Sequence, residues 1–431
     1  MTSASRPVAA AGPWAEALFT HGVTGTNGKT STCALLAACL RADGRDVLLV
    51  GTTGAFRNGV PVAKGKSFAE FCALLESAAA EGCRDVVIET TSFGLRNGYA
   101  KKWRFDLGVF TNLSPDHLQT HGTWENYLAA KAQLFLHLGP GRPMVLNAAD
   151  PHAVFIHRAT PPDVRRLWFR APSRGPALVP ADLEAAAIEL DGDGTRVALA
   201  PSPLAEALGG SLQLRMIGEI FAENALAAAC AAAAAGLEPG AIVRGLATCP
   251  GVPGRFELLA REPMVVVDYA HSPDALARTC ATARRLAAGR VILVFGAGGG
   301  STPSKRGPMG AAAALGADVV VVTNDNPRHE DPHAIAAMLE QGARDARADA
   351  AIVTVLDRRA AIEHAIAMAH RADVVVIAGM GHEVGQRIGD ADVPFSDRDE
   401  VLRITATSAA SSGGGDDPSP VHAPDCTTPA L

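Results

Sequence analysis

Gly22-Val23-Thr24-Gly25-Thr26-Asn27-Gly28-Lys29-Thr30-Ser31 is the stretch around which this chain of 431 residues is organised. It is a Gly-rich turn that ends in Gly-Lys-Thr, and it stands between Leu18-Phe19 and a helical pattern. Its glycines let backbone N–H groups approach a phosphate chain, Lys29 can face the outer phosphates, and the Thr30 hydroxyl can reach a Mg²⁺ ion. The strict phosphate-loop spacing requires Gly where Val23 stands, so the general pattern fails at one position. The alternative interpretation is an ordinary strand–turn–helix connection.

The composition is that of a globular protein with a large core. Hydrophobic residues make up 48% of the sequence, and a chain of this length forms two domains more often than one. The formal net charge is −6, and the sequence has no Lys/Arg run typical of a nucleic-acid-binding surface. It has no signal-peptide pattern, no apolar run long enough to span a bilayer and, among eight cysteines, no Cys-x-x-Cys pair. We therefore expect a cytoplasmic protein with reduced cysteines and neither a membrane nor a nucleic acid as partner.

In the first half of the chain, apolar strands alternate with helical patterns. Strands are predicted at 47–50, 86–88 and 105–111, helices over Phe68–Ala80 and Trp124–His137, and a small β-rich insertion from Asp150 to Ala200. Glu89 directly follows the second of these strands. Ligands of open α/β sheets bind beyond the carboxyl ends of strands, so a carboxylate beside a phosphate loop predicts a Mg²⁺ ligand. The alternative for Glu89 is a surface residue at the end of a strand.

The clearest linker in the sequence is Pro250-Gly251-Val252-Pro253-Gly254. Beyond it, four continuous apolar strands separated by helices predict a parallel sheet covered on both faces. These strands are Val265–Tyr269, Val291–Phe295, Val319–Thr323 and Val374–Ala378. The predicted fold is α/β, with a phosphate-loop ATPase central domain and a Rossmann-like C-terminal domain. We expect a flexible lead-in at 1–17, the two domains at 18–249 and 250–404, and a disordered tail at 405–431.

Four groups of residues together resemble the Mur ligase family. They are the phosphate loop, Glu89-Thr90-Thr91-Ser92, Phe110-Thr111-Asn112-Leu113-Ser114-Pro115-Asp116-His117 and Tyr127-Leu128-Ala129-Ala130-Lys131. They occur in the family's order, and the resemblance runs from about Gly22 to Leu402. It points to the MurE branch, which adds the third residue of the peptidoglycan peptide. It implies an ATP-dependent acid–amino-acid ligase that works through an acyl phosphate and releases ADP and phosphate.

The resemblance also implies roles for matching residues. Thr30 and Glu89 would hold one Mg²⁺ ion and His117 a second, while CO₂ would carbamylate Lys131 into an anionic metal ligand. The residues implied to bind ATP are Thr24, Gly25, Thr26, Asn27, Gly28, Lys29, Thr30, Ser31, Asn224, Arg255, Asp268 and His271. Asn224 would lie near the adenine, unless it is simply a helix-start residue. Asp268 would bind the ribose. The implied catalytic residues are Lys29, His117, Lys131 and Lys305.

The segment Asp325-Asn326-Pro327-Arg328 resembles the signature of MurE enzymes that accept meso-diaminopimelate rather than lysine. Arg328 can hold the distal carboxylate of this diamino acid in a bidentate manner, and Glu383 can pair with its distal ammonium. The implied amino-acid site consists of Asp325, Asn326, Arg328, Gly379 and Glu383. A plain Asn-Pro turn would explain the Asn and the Pro but not Arg328.

The chain departs from the family mainly on the side of the acyl donor. Phe93 stands where MurE-type enzymes usually have His, Tyr99 replaces a substrate-binding Arg, and Lys64–Ser67 replaces a Thr-Thr pair. On the other side, Gly299–Thr302 and Met380 lack charges that the family usually has. The loose lead-in at 1–17 is too short to form the family's N-terminal UDP-binding domain. We therefore expect a smaller or carrier-bound acyl donor rather than a UDP-linked muramyl dipeptide. A further alternative is that a carrier or accessory protein supplies the function of the missing domain.

Other classes of protein fit the sequence less well. A nucleotide switch should carry Asn-Lys-x-Asp after a later strand, which the sequence lacks, and a motor ATPase would not need an amino-acid pocket. Three further ligases stay open: a true MurE tripeptide synthetase, a folylpolyglutamate-synthase-like enzyme and a secondary-metabolite peptide ligase.

Overall fold

The computed structural model describes residues 12–63, 65, 67–114, 118–139, 141–300 and 302–412. Within these residues, eleven strands form a first sheet and six strands form a second, on either side of the linker. The strands of the first sheet are β1 (Phe19–Thr24), β2 (Val47–Gly51), β3 (Gly54–Arg57), β4 (Val60–Val62), β5 (Asp85–Glu89), β6 (Leu107–Phe110), β7 (Met144–Asn147), β8 (Arg166–Arg170), β9 (Leu183–Asp191), β10 (Gly194–Leu199) and β11 (Ser211–Leu214). The α/β fold expected from the sequence is confirmed.

The first sheet is parallel in its centre and antiparallel at both ends. Its order is β11-β10-β9-β8-β7-β6-β1-β5-β2-β3-β4, and pairing is parallel from β9 to β2. Its helices are α1 (Lys29–Ala42), α2 (Phe68–Ala80), α3 (Ser92–Arg96), α4 (Tyr99–Lys102), α5 (Leu118–His121), α6 (Trp124–Leu136), α7 (Pro151–Ala159), α8 (Pro203–Ala207), α9 (Glu219–Ala234) and α10 (Pro239–Thr248). The phosphate loop joins β1 to α1, so it lies at the carboxyl edge of the sheet, between β5 and β6.

The stretch from Asp150 to Ala200 is not the separate β-rich insertion that the sequence suggested. Pro151–Ala159 is helix α7, and β8 and β9 continue the parallel sheet beyond β7. The Pro and Gly residues that suggested short turns instead lie at helix starts and between strands. Asp150 caps α7, because its carboxylate accepts a hydrogen bond from the backbone N–H of His152.

Small residues let the helices of the first domain pack closely. Helix α9 is rich in Ala and almost wholly buried between the sheet and α1. In α10, a Cβ atom added to Gly245 would lie 2.4 Å from the Cα atom of Cys39 in α1, so only glycine allows this approach. This close packing holds α1, the helix that begins at the phosphate loop, firmly against α9 and α10.

The second sheet is parallel except for its first strand. Its order is β12 (Glu257–Arg261), β13 (Met264–Asp268), β17 (Val374–Ala378), β14 (Val291–Phe295), β15 (Val319–Val322) and β16 (Ala351–Thr354). It is followed by the hairpin β18 (Gly385–Ile388) and β19 (Ala391–Pro394), and its helices are α11 (Pro273–Leu286), α12 (Arg306–Gly316), α13 (Pro332–Ala346), α14 (Arg358–Met368) and α15 (Asp397–Ser412). Strands β14 and β17 are buried along their whole length, as expected for a sheet covered on both faces.

Both ends of the described chain are more structured than the sequence suggested. Pro13–Ala17 forms a short 3₁₀ helix, and the Trp14 ring lies 5.9 Å from that of Trp103. Helix α15 continues past residue 404, where we expected a tail to begin. Its start is held by a fully buried ion pair, in which both oxygens of Asp397 accept hydrogen bonds from Arg358 at 2.7 Å. No helix in the described parts of the chain has the length and apolar character that crossing a bilayer requires.

Candidate active site

A cavity of about 510 Å³ lies where the carboxyl edges of the two sheets face each other. Most of the residues implied to bind ATP line it, namely Thr26, Asn27, Gly28, Lys29, Thr30, Ser31, Asn224, Arg255, Asp268 and His271, together with Glu89 and Lys131. Thr24 and Gly25 lie directly before this lining, at the end of β1. The fold therefore brings together residues that are up to 245 positions apart in the sequence.

The phosphate loop is held in shape by the segment that follows β6. The backbone N–H of Thr26 donates to the carbonyl of Asn112 at 2.9 Å, and that of Asn27 donates to the Asn112 side-chain oxygen at 3.0 Å. Gly28 has φ of 84°, which favours glycine, and it directly precedes the first residue of α1. The Lys29 ammonium donates to the carbonyl of Thr26 at 2.7 Å, so it lies across the loop.

Glu89 and Thr30 place a carboxylate and a hydroxyl side by side at the wall of the cavity. The Thr30 hydroxyl donates to Oε2 of Glu89 at 3.1 Å, and the backbone N–H and hydroxyl of Thr52 donate to the same oxygen at 3.0 and 2.9 Å. Burial opposes ionisation of Glu89, but the charge of Lys29 and the hydrogen bonds from Thr52 outweigh it, so its pKa is lowered. An ionised carboxylate beside a hydroxyl is the donor set that a hard cation prefers.

The second predicted metal ligand, His117, lies outside the described residues. Among the residues that the structure does describe, no group of three His, Cys, Asp or Glu side chains could hold a metal ion. A cation at Glu89 would therefore need other ligands as well, such as hydroxyl groups, phosphate oxygens or water.

Lys131 is buried beside the phosphate loop, with only 1% of the residue exposed. Its Nζ atom donates to the carbonyl of Gly25 at 2.6 Å and lies 4.5 Å from the centroid of the Tyr127 ring. The Tyr127 hydroxyl is in turn 3.1 Å from the hydroxyl of Thr26. Isolated buried charges are costly, so the carbonyl and the ring face stabilise an otherwise unfavourable group.

Arg255 reaches the first domain from the end of the linker. Its guanidinium lies 4.2 Å above the Tyr269 ring, and its Nη2 atom is 3.4 Å from the hydroxyl of Thr30. Burial lowers the pKa of Arg255, and the charges of Glu89 and Asp268 act in the opposite direction. Arg255 thus joins the predicted metal ligands to the second domain.

The other residues of the second domain that are predicted to bind the nucleotide lie around Asp268. Its carboxylate accepts hydrogen bonds from the backbone N–H groups of Phe256 at 3.2 Å and Tyr269 at 2.8 Å, and from the Thr279 hydroxyl at 2.5 Å. Burial raises the pKa of Asp268, and these bonds partly offset that effect. His271 donates from Nδ1 to the carbonyl of Tyr269 at 2.8 Å. Lys305 donates to the carbonyl of His271 at 3.3 Å, next to the cavity.

The predicted amino-acid residues form a second group beside this cavity. The Asn326 side-chain amide donates to Oδ1 of Asp325 at 3.0 Å and to Oε2 of Glu383 at 2.8 Å. A Cβ atom on Gly379, whose φ is 117°, would lie 2.6 Å from Asp325, so the close approach requires glycine. The Tyr269 hydroxyl donates to Oε1 of Glu383 at 3.2 Å. Because Tyr269 also lines the cavity, it connects the two groups.

Arg328 lies at the rim of this second group, with its side chain exposed. Its φ of 54° is unusual for a residue other than glycine. The backbone N–H of Arg328 donates to the carbonyl of Arg387 at 2.9 Å, and Gly389 donates back to its carbonyl at 2.7 Å. The hairpin β18–β19 therefore holds the conformation of this loop.

A charged cluster at the domain junction was missed by the sequence reasoning. It consists of Glu223 from α9, Arg174 from the β8–β9 connection, and Asp274 and Arg278 from α11. The available signal was the spacing of four residues between Asp274 and Arg278, which places both on one face of a helix. Their partners lie about 50 to 100 positions away in sequence, and no local pattern indicates them.

Comparison with known proteins supports the arrangement of two domains around one cavity. The model of the Mur ligase middle domain matches residues 23–232, and that of the Mur ligase glutamate ligase domain matches residues 254–381. The chain is similar to UDP-N-acetylmuramoyl-L-alanyl-D-glutamate--2,6-diaminopimelate ligases of Syntrophomonas wolfei (38% identity; 88% of this chain, 77% of the relative) and Xanthomonas oryzae pv. oryzae (39% identity; 87% and 75%).

Solved structures agree with these sequence matches. The structure of a ligase with the same name has a TM-score of 0.63 at 33% identity, and the match covers 91% of this chain and 79% of the other. A folylpolyglutamate synthase of Mycobacterium tuberculosis complexed with ADP has a TM-score of 0.69 at 20% identity, with coverage of 94% and 92%, and shares the fold. With both domain models and these relatives in agreement, the chain belongs to the Mur ligase family, whose members form amide bonds at the expense of ATP.

Proposed function

We propose that this ligase joins a diamino acid with a distal carboxylate, most simply meso-diaminopimelate, to an acyl carboxylate other than a UDP-linked muramyl dipeptide. The observation that carries the acceptor side is the group of Asp325, Asn326 and Glu383, joined to the nucleotide cavity through Tyr269. The names of the relatives from S. wolfei and X. oryzae include 2,6-diaminopimelate, which supports this choice of amine.

In the first step, an oxygen of the acyl carboxylate attacks the γ-phosphorus of ATP. The bond from that phosphorus to the bridging oxygen breaks, which gives an acyl phosphate and ADP. Lys29, Arg255 and Lys305 supply positive charge to the phosphate oxygens during the transfer. Thr30 and Glu89 would hold a Mg²⁺ ion, which neutralises further phosphate charge, and His117 would take part in a second site.

Carbamylation of Lys131 is part of the proposal. The ammonium first loses a proton; the uncharged amine then forms an N–C bond to CO₂ and releases a second proton, which leaves one N–H group and a carboxylate. The remaining N–H can still donate to the carbonyl of Gly25, which it approaches at 2.6 Å. The modified side chain would therefore keep its place and exchange a buried cation for an anionic ligand, whose charge a bound Mg²⁺ ion would offset.

In the second step, an uncharged amine of the acceptor attacks the carbonyl carbon of the acyl phosphate. The C–O bond to phosphate breaks, phosphate leaves and the nitrogen loses a proton. Glu383 would pair with the distal ammonium and Arg328 with the distal carboxylate, which leaves the other amine to react. The facing edges of the two domains keep water, the competing nucleophile, away from the acyl phosphate.

The aromatic side chains after Glu89 support a donor different from that of the relatives. Phe93 lines the mouth of the cavity with 61% of the residue exposed. Tyr99 is 39% exposed and packs against Phe68, with the ring centroids 5.3 Å apart. Phe93 and Tyr99 thus offer no charge at two positions where the family usually carries His and Arg, so two contacts expected for a UDP-linked muramyl dipeptide are missing.

The direct test is a screen of acyl donors with the full chain, ATP, Mg²⁺ and meso-diaminopimelate. Phosphate release identifies active donors, and mass spectrometry identifies the amide product. We expect product from small glutamyl-type carboxylates and little from UDP-N-acetylmuramoyl-L-alanyl-D-glutamate. Efficient formation of the UDP-linked tripeptide at micromolar donor would overturn the donor assignment and favour the reaction named for the relatives. Equal turnover of L-lysine would overturn the acceptor assignment.

A further inference from the structure

The carboxylate of Glu223 is buried at the domain junction and faces two arginines. Only 2% of its side chain is exposed. It accepts hydrogen bonds from Nε of Arg174 at 2.9 Å, from Nη2 of Arg278 at 2.9 Å and from the amide of Asn147 at 2.8 Å. Burial opposes ionisation, but the two guanidinium groups outweigh it, so the pKa of Glu223 is lowered. This arrangement orients Arg278, which belongs to the other domain.

Helix α11, which carries Arg278, forms one wall of the nucleotide cavity. At its first turn, Asp274 accepts a hydrogen bond from the side chain of Asn27 in the phosphate loop at 3.1 Å. Arg278 and Thr282 follow at intervals of four residues, about 6 Å along the axis for each interval. All three residues line the cavity. Arg278 therefore lies about 6 Å further along the axis of α11 than the contact with the phosphate loop.

The guanidinium of Arg278 has an unused donor. Its Nη2 atom binds Glu223, while its Nη1 atom is buried and has no hydrogen-bond partner among the described residues. Buried polar groups are almost always paired, so an acceptor is expected at this position. Apolar side chains of Ile217, Ile220 and Phe221 also line the cavity. Small-molecule sites combine apolar walls with a few placed polar groups, and within an ATP site this combination suits the nucleoside rather than the phosphates.

We infer that Arg278 is a further nucleotide-binding residue, which contacts the nucleoside part of ATP from the second domain and is held in position by Glu223. This inference rests on the use of ATP alone. It does not depend on the acyl donor or the amine acceptor proposed above, so it can fail while those assignments hold, and the reverse is also true.

The competing explanation is that Arg278 only ties the two domains together. The chain offers a matched control, because Arg285 of the same helix pairs with Glu219 of α9 across the same junction. The side chains of this second pair are 39% and 36% exposed, and neither of its members lines the cavity. Removal of Arg285 also loosens the junction but takes nothing from the nucleotide site.

The experiment is calorimetric titration of the full chain with Mg-ADP, and displacement of ADP by inorganic tripolyphosphate. Arg278→Ala is expected to weaken ADP about ten-fold or more, the usual effect of losing a hydrogen bond to a charged group. The affinity for tripolyphosphate should stay within about two-fold, and Arg285→Ala should leave both affinities unchanged. Unchanged ADP binding in Arg278→Ala, or an equal loss for tripolyphosphate and ADP, would overturn the inference.

Two further variants keep the test decisive if Arg278→Ala does not fold. Arg278→Lys retains a positive charge for Glu223 but removes the donor at Nη1, so it should fold and still bind ADP more weakly. ADP binding equal to that of wild type in this variant would contradict the assignment. Glu223→Gln tests the positioning role, since it should weaken ADP but not tripolyphosphate. Combined with Arg278→Lys, it should add little further loss, whereas fully additive losses would show that Glu223 does not act through Arg278.

Discussion

The hydroxyl of Thr30 lies 3.1 Å from Oε2 of Glu89, although 59 residues separate the two in sequence. The two residues meet because β1 and β5 are neighbouring parallel strands. Glu89 ends β5, and Thr30 lies in the segment that follows β1, so both are at the carboxyl edge of the sheet. Glu89 is therefore held by Thr30 and Thr52 in a fixed place next to the phosphate loop.

Replacement of Glu89 by Gln should lower ADP formation about 100-fold, as for other losses of a preorganised electrostatic group. The amide keeps the size of the side chain but removes the negative charge that would hold Mg²⁺. Steady-state rates at increasing Mg²⁺ should show a higher requirement for the metal. Glu76→Gln, on the exposed face of α2, is the matched control and should behave like wild type. A normal Mg²⁺ dependence in Glu89→Gln would exclude a metal at this position.

Lys131→Ala should be inactive, and short carboxylates such as formate or acetate should restore part of its ATP turnover. The reason is that the variant removes the proposed carbamate and leaves space for an external anion. Lys29→Ala should also lose ADP formation, but carboxylates should not rescue it, because its missing group is a cation. An intact-mass measurement that finds only free amine at Lys131 in active, metal-loaded enzyme would rule out the carbamate.

Arg328→Ala should raise the KM for meso-diaminopimelate by about 10- to 100-fold, the effect of losing a charge-assisted hydrogen bond worth about 1.5–3 kcal/mol. The KM for ATP should change little, because Arg328 lies away from the nucleotide cavity. The control is Arg387→Ala, which removes another arginine at the same hairpin, where it pairs with Asp392. An equal effect of both substitutions would indicate that only the hairpin, and not the Arg328 guanidinium, is involved.

The affinity for the diamino acid should fall in mildly acidic solution. Burial raises the pKa of Glu383 above its usual range, while the hydrogen bonds from Asn326 and Tyr269 act in the opposite direction. A carboxylate with a raised pKa takes up its proton early as the pH falls, and it then no longer pairs with an ammonium. The KM for meso-diaminopimelate should therefore rise as the pH falls through the pKa of Glu383.

Tyr269→Phe provides the check on this titration. It removes one of the hydrogen bonds that favour the ionised form, so the acidic rise in KM should begin at a higher pH than in wild type. A profile that does not move would show that Glu383 does not bind the acceptor. The kcat at high pH is the internal control, because Glu383 is ionised there in both proteins.

Local patterns predicted the regular elements well. The bounds of α2 were predicted correctly as Phe68–Ala80, and the structure shows why: Ser67 and Glu70 form reciprocal hydrogen bonds at its start. The buried strands Val291–Phe295 and Val374–Ala378 were also predicted correctly. A continuous apolar run between two helices is typical of a parallel strand that is buried on both faces. The roles of the site residues stay predictions.

What the sequence did not indicate depends on contacts between distant segments. The helix at Pro151–Ala159 was hidden among Pro and Gly residues, although Pro151 occupies a position where a helix tolerates it. The left-handed backbone of Arg328 results from its pairing with the hairpin that follows Glu383. The carboxylate of Glu223 meets Arg278 only when both domains are in place. Propensity and periodicity carry no information on such partners.

The hydrogen bond between Asn27 and Asp274 has a consequence for the order in which the protein is made. The two residues are 247 positions apart, so the ribosome completes the phosphate loop long before its partner on α11 exists. A nascent chain that ends at the linker could already fold β1 and α1, yet one wall of its nucleotide cavity would be solvent. A growing chain can therefore complete the nucleotide cavity only after its second domain has been made. A protein cut at residues 250–254 would complete it again only if its two halves reassociated.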